Sequence, residues 1–239
     1  MKTIKLKNLW LLLLFCSLSL GVNAAREKTD TQKRSVESFS KISVSSGIDL
    51  YLTQGNSEAI VVEANPDIID KIITLVEDGT LKIYIKDNQN WNWGWNQSRK
   101  AYVTFDDLTA LRASAGSDVY SQNAFKLDEL DIDVSSGSDV KLEDLSARFM
   151  RIRTSSGSDA EVSGKTVDLV ADSSSGSDLD CGNLVAEHVE VSASSGSDAT
   201  VHVSGSLKAR ASSGADIRYK GSPTQKDIDE SSGGDVKNY

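Results

Sequence analysis

The chain is poor in the residues that most often build catalytic and metal sites. Its 239 residues include two histidines and two cysteines, and aromatic residues make up only 6%. The spacing of His188 and His202 does not resemble a zinc site, and Cys181 stands in an apolar row, which favours a core thiol over a nucleophile. The sequence contains no Gly-x-Ser-x-Gly elbow, phosphate-binding loop or dinucleotide fingerprint. We therefore predict a protein that is not an enzyme and that needs no cofactor.

The only long hydrophobic run lies at the N-terminus. Basic residues at positions 2, 5 and 7 precede the apolar run Leu9–Leu20, and the small-residue motif Val22–Ala24 follows it. This order is typical of a secretory signal peptide, here over residues 1–25. The alternative is lipoprotein processing at Cys16, although Phe15 stands where a small residue is expected. No later segment is apolar enough to cross a bilayer, so we predict a mature chain in the periplasm, on the outer-membrane surface or secreted.

Positive charge is scarce in the rest of the chain. Removal of residues 1–25 leaves 23 basic against 35 acidic residues, a formal charge of −12. Such a charge disfavours nucleic acid and anionic membrane surfaces as partners, because binding to either needs basic patches. Only Cys181 remains after cleavage, so an internal disulfide is impossible even though export would allow one.

The sequence does contain a regular repeat, the pentapeptide Ser-Ser-Gly-Ser-Asp and its near copies. Eight copies occur, with glycines at positions 47, 116, 137, 157, 176, 196, 214 and 233. From Gly116 onward they recur every 18 to 21 residues. A fixed period of this length indicates a stacked repeat, or solenoid, whose long surface suits binding or display.

Hydrophobicity alternates on both sides of each glycine. Counted from the glycine, apolar residues fall at −7, −5 and −3 and again at +3 and +5, as with Leu130, Ile132 and Val134 before Gly137. This pattern predicts two half-buried strands per repeat, each paired in parallel with its equivalent one coil away. The outward positions −4 and −6 support that register, because charges of opposite sign mostly follow one another from coil to coil. We therefore predict an all-β protein in which residues 108–239 form a β-solenoid of about 20 residues per coil.

The pentapeptide is interpreted as the corner between the two strands of a coil. Glycine supplies the left-handed backbone of a tight bend, and the alternation places the preceding serine, such as Ser136, inside the coil as part of a hydroxyl ladder. The aspartate at +2 faces outward, so its row of carboxylates must offset mutual repulsion. One hypothesis is that each carboxylate accepts hydrogen bonds from its own corner, as in an Asx-turn. The other is a cation such as calcium between the coils, and its candidate ligands are Asp139, Asp159, Asp178, Asp198 and Asp216.

The region before the repeat array is less regular. Residues 26–35 are polar and lack periodicity, which predicts a flexible leader. Residues 36–107 contain alternating strand candidates and form a predicted β-rich module. One short helix is predicted over residues 66–76, because Pro66 suits a first helical position and Ile68, Ile69, Ile72, Ile73 and Val76 fall on one face.

Three of the four tryptophans cluster in residues 90–96. On an extended segment their rings point to one side, with asparagines beside them, and such a strip suits stacking on sugar rings while the amides bind hydroxyls. The alternative is that the rings cover an end of the solenoid. The predicted ligand-binding residues are Trp91, Trp93, Trp95, Asn92 and Asn96, and the predicted partner is a glycan or a cell-surface protein.

Residues 36–239 resemble the bacterial domain family called "putative auto-transporter adhesin, head GIN domain". The resemblance is carried by Phe39–Leu50, Gly79–Ile83, the repeated Ser-Gly-Ser corners and Ile217–Pro223. It implies a right-handed single-stranded parallel β-helix in an exported protein and brings no catalytic residues with it. Members of the family commonly have glycine where this chain has the corner aspartates, so the aspartate row is a departure from the pattern.

Together these features predict an exported, non-enzymatic, adhesin-like protein that binds a surface. Two alternatives stay open at this point: a polysaccharide-active enzyme or carbohydrate-binding accessory protein, and a purely structural envelope protein. An open groove with two carboxylates and an adjacent arginine would favour the enzyme.

Overall fold

The computed structural model describes residues 29–86 and 97–239. Within them the chain forms eighteen strands and one short 3-10 helix, Ile69–Lys71. The strands are β1 Asp30–Arg34, β2 Lys41–Val44, β3 Asp49–Gln54, β4 Ala59–Ala64, β5 Ile72–Glu77, β6 Thr80–Ile85, β7 Arg99–Phe105, β8 Ala110–Ala113, β9 Asp118–Ser121, β10 Phe125–Lys126, β11 Glu129–Ser135, β12 Asp139–Ser155, β13 Asp159–Ser174, β14 Asp178–Ser194, β15 Asp198–Ala211, β16 Asp216–Lys220, β17 Gln225–Glu230 and β18 Asp235–Asn238. All of these strands belong to one hydrogen-bonded sheet. The predicted all-β class is confirmed.

The sheet winds into coils because the chain bends at each Ser-Gly corner. Strands before the corners stack in what we call the pre-corner row, in the order β6, β2, β8, β11, the later parts of β12 to β15, and β17. Strands after the corners stack in the post-corner row, in the order β7, β3, β9, the early parts of β12 to β15, β16 and β18. Every neighbouring pair within the two rows is parallel, which confirms the predicted β-solenoid.

Inward side chains of successive coils fall into buried rows, as the alternation predicts. One such row is Ile132, Ile152, Ala171, Val191 and Ala209, all at most 1% exposed. The mixture of large and small residues fits a narrow interior, because neighbouring coils interdigitate instead of stacking identical bulky groups.

Cys181 is also fully buried and carries no disulfide. Burial raises the pKa of its thiol far above the ordinary value. The thiol is therefore unreactive, in agreement with the predicted core position.

Each corner is made by two consecutive left-handed residues rather than by glycine alone. At the third corner of the array, Ser156 has φ 59° and Gly157 has φ 63°. This double turn points the serine before the glycine outward, so the predicted inward orientation of Ser136 and its equivalents is wrong. The buried hydroxyls belong instead to the serine after the glycine, and Ser138 and Ser158 are both 0% exposed. There they bond the backbone, as when Ser158 Oγ donates to Val134 O at 2.9 Å and accepts from the Ser155 N–H at 3.1 Å.

The first corner stacks directly on the second, although the two are far apart in sequence. The Gly47 N–H donates to Ala115 O at 3.0 Å, and the Gly116 N–H continues the series to Ser136 O at 3.2 Å. The intervening chain makes an excursion in which β6 and β7 add a coil on the far side of β2 and β3. Antiparallel strands β5 and β4 then cover the open edge of that coil. Residues 36–107 thus contribute coils to the same solenoid as residues 108–239, and both segments share one core.

The helix predicted over residues 66–76 is not formed. Only Ile69–Lys71 makes a 3-10 turn, and Ile72–Glu77 is strand β5, paired antiparallel with β6. The reason lies at Asp78-Gly79, where both residues have positive φ (51° and 69°). This is the geometry of a tight hairpin turn, which pairs the β-branched residues of β5 with β6.

The flexible leader predicted for residues 26–35 is also corrected where the chain is described. Asp30–Arg34 forms β1, which pairs antiparallel with β4 along its whole length. A polar edge strand needs no apolar alternation, because its side chains face solvent while its backbone completes the ladder. No helix in residues 29–86 and 97–239 has the length and hydropathy of a membrane span.

Candidate functional site

The residues predicted to bind a ligand lie outside the described part of the chain. These are Trp91, Trp93, Trp95, Asn92 and Asn96, in the segment that connects β6 to β7. The predicted signal peptide and Cys16 also lie outside it, because the description begins at residue 29.

The corner aspartates form one continuous outward row along the solenoid. Successive coils place these residues in register, and all of them are at least partly exposed: Asp118, Asp139, Asp159, Asp178, Asp198, Asp216 and Asp235. Partial burial raises the pKa of Asp139 above the usual carboxyl value, and the neighbouring carboxylates of Asp118 and Asp159 raise it further. Burial followed by two neighbouring carboxylates raises the pKa of Asp178 in the same way.

The row receives hydrogen bonds from its own coil and from the next one, and the Tyr120 hydroxyl donates to Asp118 at 3.5 Å. The Asp178 N–H donates to the Asp159 carboxylate at 3.3 Å, whereas the Asx-turn hypothesis expected a donor within the same corner. No group of three or more acidic, histidine or cysteine side chains converges on a metal-sized space in residues 29–86 and 97–239. The row is therefore a linear array of carboxylates rather than a cluster.

Opposite charges alternate along the outward rows of the pre-corner face. Arg153 contacts Asp133 at 2.6 Å and Asp131 at 3.0 Å, and Arg112 reaches Asp133 from the other side at 3.1 Å. Arg153 holds the pKa of Asp133 below its usual value. These exposed pairs favour the in-register stack, each by less than about 1 kcal/mol.

A long groove crosses the pre-corner row. Its volume is about 640 Å³, and we call it the lateral groove. Leu169, Val189 and Leu207 lie beneath it, with their side chains buried in the core. One wall carries Phe149, Asp168, His188, Ser206 and Gln225 on five successive coils, and the other carries Val170, Glu190, Lys208 and Asp227.

The polar groups of the lateral groove are tied to one another across coils. Lys208 contacts Glu190 at 2.6 Å and holds the pKa of that carboxyl below its usual value, with Arg210 at 3.4 Å. His188 Nδ1 lies 2.9 Å from Ser206 Oγ, and its Nε2 lies 3.8 Å from Glu187 Oε1. The imidazole and this carboxylate are 50% and 60% exposed, so water competes for both contacts. The arrangement supplies hydrogen-bond donors and acceptors at coil spacing.

Three tyrosines form a stacked ladder on the outer surface of the post-corner row. Tyr102, Tyr51 and Tyr120 come from β7, β3 and β9. The ring centroids of Tyr51 and Tyr102 are 5.0 Å apart, and those of Tyr51 and Tyr120 are 5.5 Å apart. The Lys100 ammonium lies 5.9 Å from the centre of the Tyr51 ring.

The stacking of these three tyrosines was not predicted from the sequence. Tyr51 and Tyr120 stand at the same position, four residues after Gly47 and Gly116, and that shared position was an available signal. Tyr102 could not be aligned, because its coil has no pentapeptide corner.

Comparison with known families identifies the fold. The model of the family described as "putative auto-transporter adhesin, head GIN domain" matches residues 38–223. The chain belongs to this family. The match covers β2 to β16, so the head GIN domain includes the tyrosine ladder and most of the lateral groove.

Solved structures agree with this assignment. A putative adhesin from Bacteroides fragilis NCTC 9343 is 25% identical, with a TM-score of 0.83 over 90% of this chain and 98% of that one. A putative adhesin from Parabacteroides merdae ATCC 43184 is 15% identical, with a TM-score of 0.70 over 89% and 96%. A structure named as a "putative lipid binding protein", from Parabacteroides distasonis ATCC 8503, is 18% identical, with a TM-score of 0.61 over 87% and 96%. No protein of curated function matches the chain.

The descriptions of the family and of the Bacteroides fragilis structure support an adhesin-like surface protein. At 15% and 18% identity the two Parabacteroides structures share the fold alone.

Proposed function

We propose that this head GIN domain is exported and binds a linear glycan at a surface without modifying it. The observation that carries the proposal is the lateral groove. It crosses five successive coils, so it offers a linear polymer one set of contacts per coil rather than a single pocket.

The chemistry of the groove fits a hydroxyl-rich chain. The walls present imidazole, hydroxyl, amide, ammonium and carboxylate groups, and the half-buried Phe149 and Val170 add apolar surface. Sugar rings have polar edges and apolar faces, so they can use both kinds of surface.

The ionisation of Glu190 favours binding over glycoside cleavage. A glycosidase needs a carboxyl group whose pKa is raised so that it can donate a proton. Lys208 and Arg210 act in the opposite direction and keep Glu190 ionised. A carboxylate that is ionised at neutral pH is a good hydrogen-bond acceptor for sugar hydroxyls.

The glycan can be detected with an array of linear oligosaccharides probed with the chain from residue 26 onward. We expect binding that is lost when His188→Ala and Gln225→Ala are combined, since these residues face the groove on different coils. The matched control combines Asn183→Ala and Thr200→Ala, which remove two neutral polar side chains outside the groove. A folded protein that binds no glycan on the array would contradict the proposal and favour a structural envelope role. Equal binding by both double variants would refute the lateral groove as the binding site.

We also propose that the tryptophan segment adds a second contact to sugar, as its composition suggests. The triple variant Trp91→Ala, Trp93→Ala and Trp95→Ala should keep the thermal midpoint and weaken binding on the same array. Loss of folding without a specific loss of binding would favour the alternative in which the rings cover the end of the solenoid.

Export is proposed from the pattern of residues 1–25. Expression of the full chain in a Gram-negative host, followed by cell fractionation and N-terminal sequencing, should yield an envelope or secreted protein that begins near residue 25. A lipid-modified cysteine at the new N-terminus would instead support processing at Cys16, and an unprocessed chain in the cytoplasm would refute export.

A further inference from the structure

The tyrosine ladder ends beside a small hollow. Tyr51 stacks on the ring of Tyr120, and the next position of the row, one coil further, is Lys141. A space of about 270 Å³ lies at this point, lined by Tyr51, Tyr120, Ser121, Gln122, Lys141 and Glu143. We call it the ladder-end hollow.

We propose that the ladder-end hollow binds a neutral hexopyranose ring that stacks on Tyr120. The apolar C–H face of a pyranose packs against an aromatic ring, as Tyr120 offers here. Its hydroxyls would then donate to the Glu143 carboxylate and accept from Lys141 or from the Gln122 amide. The inference rests on the proposed function in taking a glycan as the ligand, but it places one sugar at a different site from the lateral groove.

Contacts between neighbouring coils bring the polar groups of the hollow together before a ligand arrives. The Lys141 ammonium lies 3.0 Å from Glu161 and 3.6 Å from Glu143. The Glu143 N–H donates to Ser121 Oγ at 2.8 Å, which fixes the backbone that carries this carboxylate. The Lys141 and Glu143 side chains are 45% and 62% exposed, so water competes for this ion pair. The backbone is the part that is ordered in advance, which lowers the entropy lost on binding.

The charges around Tyr120 favour a neutral sugar over an acidic one. Lys141 and Glu143 offset each other within the hollow, and the space on the other side of Tyr120 is lined by carboxylates, including those of Asp139, Asp159 and Glu161. A uronic or sialic acid would meet net negative potential there.

The test is saturation-transfer NMR on the chain from residue 26 onward. The probes are methyl β-glucopyranoside and methyl β-galactopyranoside at millimolar concentration, with methyl β-glucuronide as the anionic probe. We expect transfer to at least one neutral glycoside and none to the glucuronide. Tyr120→Ala should weaken the affinity about tenfold, because the sugar loses the ring on which it stacks. Tyr120→Phe should retain binding.

Two further variants keep the test decisive if Tyr120→Ala fails to fold. Glu143→Gln removes an exposed charge without loss of packing and should weaken the neutral glycosides severalfold. Tyr239→Ala removes an exposed tyrosine elsewhere, 58% exposed, and should change nothing.

The inference is overturned if the wild-type chain binds neither neutral glycoside, if the glucuronide binds best, or if folded Tyr120→Ala binds as well as wild type. If array binding depends on His188 and Gln225 but not on Tyr120, the ladder-end hollow is refuted while the proposed function stands. The reverse result refutes the lateral groove alone.

Discussion

Neutralising one aspartate in the middle of the corner row should stabilise the protein at neutral pH. Asp139 has Asp118 and Asp159 one coil away on either side. At a coil spacing of about 4.8 Å, each neighbouring pair of charges costs roughly 0.9 kcal/mol in water. Screening at physiological salt, where the Debye length is about 8 Å, reduces this to roughly 0.5 kcal/mol per pair. Asp139→Asn, which keeps an acceptor oxygen, should therefore raise the free energy of unfolding by about 1 kcal/mol at pH 7.

The pH dependence has a definite sign. The pKa of Asp139 is raised in the folded protein, first by burial and then by its neighbours. The folded state therefore binds the Asp139 proton more tightly than the unfolded state. The stability that this proton contributes is fully present below the unfolded pKa of about 3.9 and is lost as pH rises through the folded pKa. Because a protonated aspartate resembles asparagine, wild type and Asp139→Asn should be nearly equal in stability at pH 3 and should diverge above it.

Urea unfolding at several pH values measures the difference in unfolding free energy between wild type and Asp139→Asn without adding salt. The gain should shrink severalfold in molar sodium chloride, where the Debye length is about 3 Å. Asp235→Asn is the matched control at the end of the row, because Lys237 forms an ion pair with Asp235 and the substitution should bring no gain. The reasoning is refuted if Asp139→Asn destabilises the protein at pH 7, or if its gain is independent of pH and salt.

Three further predictions concern the corners and turns. Ser177→Ala should lower the free energy of unfolding by about 1–3 kcal/mol, because the buried Ser177 hydroxyl bonds the Ser174 backbone. The control Ser175→Ala removes an outward hydroxyl and should cost under about 0.5 kcal/mol in the same urea titration. Gly164→Ala should destabilise the protein far more than Gly157→Ala, because the added Cβ at position 164 would lie 2.0 Å from Leu145 O. At the corner position 157 an alanine meets only left-handed backbone strain of about 1–2 kcal/mol. Equal losses of unfolding free energy in the two variants would contradict this. If calcium binds between corner aspartates, millimolar calcium should raise the wild-type thermal midpoint and have less effect on Asp139→Asn; an unchanged wild-type midpoint would remove that hypothesis.

Period-two alternation predicted the solenoid well because burial imposes it on every coil. Ile132 and Ile152 occupy the same position in consecutive repeats and share one buried row. Alternation assumes an extended backbone, so it failed where the backbone is not extended. At the corners two left-handed residues rotate the chain, and the inward serine is Ser138 rather than Ser136.

Helical periodicity misled for a related reason. The isoleucines between residues 68 and 73 fit one face of a helix, but a strand that begins at Ile72 also buries apolar residues. The deciding signal was Asp78-Gly79, a hairpin turn that joins β5 to β6. Local turn chemistry outweighed the apolar pattern because pairing with β6 supplies hydrogen bonds that extend the sheet.

The candidate site depends on which coils are neighbours, and sequence spacing does not reveal this. The excursion from β4 to β7 places the coil of Gly47 beside that of Gly116, and only then do Tyr51 and Tyr120 stack. The lateral groove likewise arises from positions shared by five coils, each unremarkable alone. Repetition therefore predicts the scaffold, while the irregular segment determines where the aromatic surface lies.

The two ends of the solenoid also argue that recognition occurs on its sides. At one end β4 and β5 cover the first coil with antiparallel strands. At the other, Lys226 and Glu230 of β17 align with buried Leu207 and Ala211, so charges stand where further coils would need apolar residues. Glu230 also accepts the Val236 N–H at 2.7 Å across this end. Charges at inward positions oppose strand addition, so a partner that bound by extending the stack would have to bury Lys226 and Glu230. In the lateral groove and the ladder-end hollow the charges stay at the surface, where Glu190 pairs with Lys208 and Glu143 with Lys141.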